Sequence, residues 1–183
     1  MNNEARIISG KWKGRKLRFP GDRSVRPTLE RARITLFNWL AGHIEGRLCL
    51  DLYAGSGALG FEAQSRGARQ TTLIEQDHKT AARLREHAGL LADSSLTVNQ
   101  VGVLEFLAKD DRLWDIAFVD PPYEAGLLLP TLQHLYPRLA EGALVYCESR
   151  DVLVPPPSYA VQRQKKLADT CMTLLSVAGP ATQ

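Results

Sequence analysis

The chain has 183 residues, 44% hydrophobic and 23% charged, a size and balance that suit one globular domain with a substantial core and leave a second domain unnecessary. Its start, Met1-Asn-Asn-Glu-Ala-Arg6, lacks the apolar stretch of a signal peptide, and no segment approaches the roughly twenty apolar residues of a membrane span; a cytosolic protein without membrane contact is expected. Formal net charge is only +3, but ten basic residues lie between Arg6 and Arg33 against two acids, Asp22 and Glu30, while the chain after Arg33 carries 13 basic and 17 acidic residues.

A polyanionic partner would therefore meet the N-terminal segment first. There, Arg6 to Gly10 and Arg15 to Phe19 are short, partly alternating stretches joined through Gly10-Lys-Trp-Lys-Gly14, which predicts a β-hairpin or irregular basic arm. Residues 1–183 are expected to form a single domain in which 1–27 is that arm. Pro27-Thr28 then opens a helix, with Thr28 as candidate N-cap and Leu29, Leu36, Phe37 and Leu40 in one apolar stripe.

From Arg47 onward β-type runs alternate with helical patterns. The predicted order is strand 48–53, helix 58–66, strand 70–75, helix 78–91, strand 96–100, helix 103–109, strand 114–119, helix 127–139 and strand 143–148. Past the break at Pro155-Pro-Pro157, residues 159–165 and 170–177 could close the sheet as an antiparallel pair. This alternation implies an α/β fold with a doubly wound, mostly parallel seven-stranded sheet. Cys49, Cys147 and Cys171 sit in apolar runs and read as reduced core residues. His43, His78, His87 and His134 show no metal-ligand spacing, so no metal is expected.

The segment Asp51-Leu-Tyr53-Ala54-Gly55-Ser56-Gly57-Ala-Leu-Gly60 follows the first strand of the alternating region and enters a helix. Its glycines let a ligand lie against bare main chain at a helix N-terminus. Gly55, Gly57 and Gly60 alone fit a dinucleotide fingerprint, which leaves NAD open beside S-adenosylmethionine. A carboxylate at Asp51 would repel a pyrophosphate and suits the ammonium and sulfonium of S-adenosylmethionine; the alternative is a structural acid capping the glycine turn. Glu75, at the end of the next strand, is placed to accept both ribose hydroxyl hydrogen bonds, with Gln76 beside it. Gly102 and Val103 offer backbone groups and an apolar surface to an adenine ring, but the stretch Gln100 to Leu104 holds no acid for the adenine amine.

The strand 114–119 runs directly into Asp120-Pro121-Pro122-Tyr123. Two prolines fix φ, hold Asp120 extended and remove two N–H donors, leaving a rigid acceptor site. If the Asp120 carboxylate and Pro121 carbonyl accept the N–H bonds of a base amine, its lone pair can point at a sulfonium methyl group and the developing positive charge is stabilised. Tyr123 could stack on a base drawn out of its helix or loop.

Together these residues resemble the bacterial 16S rRNA guanine-N2 methyltransferases of the small-subunit type. The resemblance runs from Arg6-Ile-Ile-Ser-Gly-Lys-Trp-Lys-Gly-Arg-Lys-Leu17 through Arg26-Pro-Thr28 and Thr35-Leu-Phe-Asn-Trp-Leu40 to the glycine loop, Asp120 to Tyr123 and Tyr146-Cys-Glu148. The N-terminal block is its specific part, because the glycine loop and the tetrapeptide are shared with DNA amino-methyltransferases and glutamine methyltransferases. It implies a class I methyltransferase fold, S-adenosylmethionine as donor with S-adenosylhomocysteine as product, and 16S rRNA in an assembled or partly assembled small subunit as partner. A monomer without metal is expected. Cofactor contacts fall on the glycine loop and Glu75, and catalysis on Asp120 to Tyr123. RNA contacts are expected at Arg6, Lys11, Lys13, Arg15, Lys16, Arg18 and Arg26, with Trp12 stacking or wedging. The chain departs from its relatives at Ile34, where an acid is usual, and near Ala168, where a glycine is usual. The competing readings are a DNA adenine-N6 or cytosine-N4 methyltransferase, for which the chain lacks room for a target-recognition domain, and a non-catalytic RNA-binding assembly factor.

Overall fold

A computed structural model describes residues 3–19, 27–122 and 125–177. The arm is a two-stranded antiparallel hairpin of β1 (Asn3–Arg6) and β2 (Lys16–Phe19), with Arg6 opposite Lys16. Its first strand ends at Arg6, whereas the sequence placed it over Arg6 to Gly10. Residues 7–15 instead turn inward, because their apolar side chains have a core to fill: Ile7 and Trp12 pack with Leu17 against Phe61 and Leu84.

The main sheet has seven strands in the order β5-β4-β3-β6-β7-β9-β8. Five are parallel, namely β3 (Leu48–Asp51), β4 (Gln70–Glu75), β5 (Leu96–Gln100), β6 (Trp114–Val119) and β7 (Leu139–Ser149). The tail pair, β8 (Tyr159–Leu167) and β9 (Thr170–Val177), closes it antiparallel as expected. Between the strands run α2 (Ala58–Ser65), α3 (His78–Leu91), α4 (Val103–Lys109) and α5 (Leu128–Leu135), while α1 (Pro27–Trp39) precedes β3.

Helix α1 begins at Pro27 rather than after Thr28. A proline suits the first helical position, where its missing N–H would have no intrahelical partner. The predicted helix 127–139 is divided into α5 and a short 3-10 turn, Tyr136–Arg138, around Pro137, which has no N–H to continue an α-helix. β7 consequently starts at Leu139, four residues early, and takes up a register shift between Trp114 and Ile116 of β6.

The parallel strands are buried on both sides, as near-continuous apolar runs require. On one face Cys49, Ile116, Phe118 and Tyr146 meet Leu36 and Phe37 of α1 and Leu40 just after it. On the other, Leu50, Ala117 and Val145 meet Leu107 of α4 and Leu132 and Leu135 of α5. All three cysteines are free and buried, and burial pushes the Cys49 thiol up to about 12, the charges of Asp115 and Asp51 adding to the effect. Ala168, in the two-residue turn between β8 and β9, has φ 50. That left-handed conformation costs an L-residue roughly 1–2 kcal/mol, a cost that a glycine at this position would not carry. Ile34 is 40% exposed on α1, so the apolar residue at this position is spared burial against a neighbour.

His87 is 8% exposed and its Nε2 hydrogen-bonds the main chain of Arg18, tying α3 to β2. No group of His, Cys, Asp and Glu suited to a metal ion occurs among the described residues. No helix among them is long and apolar enough to cross a membrane.

Candidate active site

The chain runs from β3 to β4 and β5 in one direction, then returns to place β6 and β7 on the other side of β3. The crevice at such a switch point, outside the carboxyl ends of the strands, is where an open α/β sheet receives a ligand. Both motifs meet there, the glycine loop leaving β3 and Asp120 leaving β6. A cleft of about 370 Å³ opens between them.

The loop turns sharply because Gly55 and Gly57 have φ 48 and 74. At Gly57 a Cβ would also lie 2.4 Å from the Phe61 ring, so glycine is required for space as well as for conformation. Gly60 donates its N–H to Asp51 Oδ2 at 2.9 Å, and a Cβ at Gly60 would come within 3.0 Å of that same oxygen. Ala54 is fixed by its N–H to the Ile74 carbonyl at 3.0 Å, and the Ser56 hydroxyl accepts the Ala58 N–H at 3.3 Å. Asp51, Ala54, Ser56, Gly57 and Gly60 thus build the turn, and none of them lines the cleft.

Asp51 caps the glycine turn through the Gly60 N–H. It is 3% exposed, and burial pushes its carboxyl from an ordinary 3.8 up to about 7, with the Gly60 N–H opposing and the charge of Glu75 assisting. The folded chain therefore holds this proton more tightly than the unfolded one. The stabilisation is full below about pH 4 and is lost as pH rises through about 7. Asp51→Asn, whose amide oxygen can still accept from Gly60, should gain on the wild type over that window by up to about 4 kcal/mol. Urea midpoints of the two proteins at about pH 4 and about pH 8 check this; a constant difference between them would refute it.

The cleft wall brings together Tyr53, Gly55, Glu75 and Gln76 with Gly102, Val103, Asp120 and Pro122. Tyr53 is held by a 2.6 Å hydrogen bond between its hydroxyl and Thr131 Oγ1. Glu75 fastens the glycine loop to the end of β4, its Oε2 accepting the Gly55 N–H at 3.0 Å and its Oε1 the Asp77 N–H at 2.8 Å. Each carboxylate oxygen keeps further acceptor capacity. Asp77 is spent on the N-terminus of α3, where its Oδ1 accepts the Thr80 N–H at 2.8 Å; this bond, then the one from the Thr80 hydroxyl, holds its carboxyl below the usual range.

Reading from the sequence missed Ile74, Leu104, Leu127 and Glu105, which also line the cleft. Glu105 supplies an acid on the side where Gln100 to Leu104 has none. It sits in the first turn of α4, where it pairs i, i+4 with Lys109 at 2.7 Å. The wall therefore carries three carboxylates, Glu75, Glu105 and Asp120, and no lysine or arginine. That balance fits a ligand with ammonium or sulfonium charge and disfavours a pyrophosphate.

Asp120 is exposed in the cleft while Pro121 is buried, so the tetrapeptide is anchored on one side and open on the other. Tyr123 lies outside the described residues, as does Arg26. Val119 pairs with Cys147, setting Tyr146-Cys147-Glu148 of β7 beside Asp120. Tyr146 and Glu148 are both buried and joined by a 2.6 Å hydrogen bond from the Tyr146 hydroxyl to Glu148 Oε1. Burial raises the Glu148 carboxyl although that bond opposes it. Burial foremost, and then the charges of Glu148 and Asp120, raise the Tyr146 hydroxyl.

The basic arm is divided in its placement. Trp12 is 9% exposed and belongs to the core beneath the arm, which corrects the expectation of a stacking or wedging residue. Lys11 pairs with Asp93, and its ammonium lies 4.6 Å from the centre of the Trp12 ring. Lys16 pairs with Glu4 at 3.0 Å and Arg6 lies 3.9 Å from the same acid. Lys13, Arg15 and Arg18 are exposed and form no ion pair with a described residue.

The family described as Conserved hypothetical protein 95 matches residues 5–176. The chain is 41% identical over 169 residues to "Ribosomal RNA small subunit methyltransferase D" of Escherichia coli (strain K12), covering 90% of this chain and 85% of that protein. The protein of the same name from Haemophilus influenzae is 37% identical over 171 residues, 88% of each chain. Among solved structures, "Putative methyltransferase yhhF" from Escherichia coli superimposes with a TM-score of 0.90 at 40% identity, covering 97% of this chain and 100% of that one. With its class I methyltransferase sheet and these similarities over most of its length, the chain belongs to the ribosomal RNA small subunit methyltransferase D family.

Proposed function

We propose that this chain transfers a methyl group from S-adenosylmethionine to the exocyclic N2 of one guanine in 16S rRNA, acting on an assembled or partly assembled small ribosomal subunit. The observation that carries the reading is the meeting of an acidic, nucleoside-sized cleft with Asp120-Pro121-Pro122 at one edge of the sheet. The names of the relatives support ribosomal RNA as the substrate class.

S-adenosylmethionine supplies the sulfonium methyl group that an amine nitrogen attacks. Glu75 receives the ribose hydroxyls on the acceptor positions its main-chain bonds leave open, and Ile74, Gly102 and Val103 bound the adenine. Glu105 is the acid available to the adenine amine. The Asp120 carboxylate and the Pro121 carbonyl would accept hydrogen bonds from the two N–H groups of the guanine amine, drawing its lone pair out of conjugation with the ring and toward the methyl carbon. As the N–C bond forms the S–C bond breaks to leave S-adenosylhomocysteine, and the same acceptors stabilise the positive charge that develops on the nitrogen. Tyr123 stacks on the base, and Lys13, Arg15 and Arg18 of the arm meet RNA phosphates. Asp120 or water takes the proton that leaves.

Purified protein, labelled S-adenosylmethionine and small subunits that lack the modification should yield N2-methylguanine in 16S rRNA. Label found only in free DNA or in protein would overturn the reading.

A further inference from the structure

We propose that the outer edge strand β8 forms a second RNA-binding surface, separate from the N-terminal arm, that holds the substrate's phosphate backbone on the flank of Asp120. The proposal rests on the RNA methyltransferase reading above.

It begins from where the arm is fastened. The Lys11 N–H bonds the Ser65 carbonyl at 2.8 Å, and the Lys11 ammonium pairs with Asp93. Ser65 ends α2 shortly before β4, and Asp93 precedes β5, so both lie at the amino edge of the sheet. Asp120 lies at the carboxyl edge, on the far side of β3 from β4 and β5. The turn of the arm thus sits at the opposite edge from the acceptor site, and its cations leave the near flank of Asp120 unserved.

The register of the other half of the sheet brings different cations to the right level. Val119 pairs with Cys147, so Asp120 stands level with Glu148. Glu148 pairs with Met172, and Met172 with Lys165. Lys165 is therefore in the same transverse row as Asp120, three strand spacings or about 14 Å away. Lys166 is one residue farther toward the carboxyl edge, opposite Cys171, and Arg163 lies opposite Leu174. All three side chains are exposed and form no ion pair with a described residue. Arg163 and Lys165 share the face of Leu174 and Met172, on which α1 packs, while Lys166 lies opposite Cys171 on the other face; α1, which contacts β8, carries the exposed Glu30 and Arg31.

Charge on an edge strand also serves to block edge-to-edge pairing with another sheet. That task accepts either sign, whereas from Val152 to Ala168 the chain carries these three cations and no acid, with Asp169 following in the turn. In a chain whose part after Arg33 is net acidic, a one-signed strip level with the acceptor site fits a polyanion that spans from β8 to Asp120.

The test is a protein in which Arg163, Lys165 and Lys166 are all replaced by glutamine, compared with wild type and with a charge-retaining variant carrying Arg163→Lys, Lys165→Arg and Lys166→Arg. Binding to a 16S rRNA fragment and to polyuridylate is followed against salt. For the glutamine variant the slope of log affinity on log salt should fall by about 2, near 0.7 for each lost cation on single-stranded RNA. The KM for the RNA substrate should rise roughly tenfold, while the turnover at saturating RNA and the affinity for S-adenosylmethionine hold. The charge-retaining variant should match wild type. A slope unchanged in the glutamine variant, or an equal loss in the charge-retaining one, would overturn the proposal. Failure of the parent reading looks different, because wild type would then methylate no small-subunit RNA while the salt slopes still decide whether β8 binds the polymer.

Discussion

Asp120→Ala is expected to lower the rate of methyl transfer by roughly 10²- to 10³-fold, the range for removing one preorganised polar partner of a developing charge, while the protein still folds and still binds S-adenosylmethionine. Asp120 is exposed in the cleft, so truncating it opens no core cavity. The residues that build the glycine turn and fasten it to β4, Asp51, Gly60 and Glu75, are all elsewhere. The loss should therefore fall on kcat. Asp120→Asn keeps one acceptor oxygen without the charge and should lie between the alanine variant and wild type. The measurement is single-turnover transfer beside calorimetric titration of the cofactor. Undiminished transfer by the alanine variant would remove Asp120 from the reaction, and loss of cofactor affinity with normal turnover would reassign it to binding.

Glu62→Ala is expected to destabilise the protein by about 3–5 kcal/mol, the range for breaking a buried ion pair from one side, and to release the N-terminal arm. Glu62 is 0% exposed on α2. Its Oε2 accepts the Ile8 N–H at 2.6 Å, and its Oε1 accepts the Ser9 N–H at 3.0 Å and the Arg66 guanidinium at 2.7 Å. Its charge also supports Arg33, a buried arginine on α1 whose Nη1 has no hydrogen-bond partner and whose guanidinium is lowered chiefly by burial. Alanine would strand two arm N–H groups and the Arg66 guanidinium, and would leave buried Arg33 with the charge of Glu30 but not that of Glu62. The contact at Gly10 adds to the consequence, since this residue is packed so closely on Ser65 that a Cβ would stand 1.8 Å from the Ser65 carbonyl oxygen. Urea unfolding gives the stability change, and limited proteolysis after Lys13 or Arg15 reports the arm. A change below about 1 kcal/mol with the arm still protected would show that Glu62 is not what secures it.

Both predictions use residues that differ in how visible they were beforehand. Asp120 is visible because Asp-Pro-Pro-Tyr ends a strand at the right spacing from the Asp51 to Gly60 glycine loop, whereas the tetrapeptide alone reads equally as an ordinary turn. Glu62, inside Gly-Phe-Glu-Ala-Gln-Ser of a short helix, looks like any surface acid. What buries it is the arm, about fifty residues earlier in the chain, and no local pattern carries that contact. Trp12 depends on distant packing in the same way. In a segment crowded with lysine and arginine an aromatic side chain looks available to a base, whereas it fills the space that the arm must close against Phe61 and Leu84. Glu105 has an ordinary helical partner in Lys109, and only the packing of α4 beside β4 sets it on the cleft wall.

By itself the sequence determined the alternation of strands and helices, since the period of its apolar residues and the placement of its glycines and prolines act over a few residues and leave one order of elements open. It also determined the two chemical landmarks, the glycine loop and Asp120-Pro121-Pro122-Tyr123, whose backbone restrictions are local. The tertiary structure decided which acids face the ligand and which serve the frame. Asp51, the acid first assigned to the cofactor, lies under the turn and caps Gly60, while Glu75, Glu105 and Asp120 converge from three separate elements on one cleft. It also decided that β8 reaches the row of Asp120 and that the turn of the arm does not. The physical reason is that burial and convergence depend on packing between elements distant in sequence, and a carboxylate has the same spelling whether it is buried under a turn or open to a ligand.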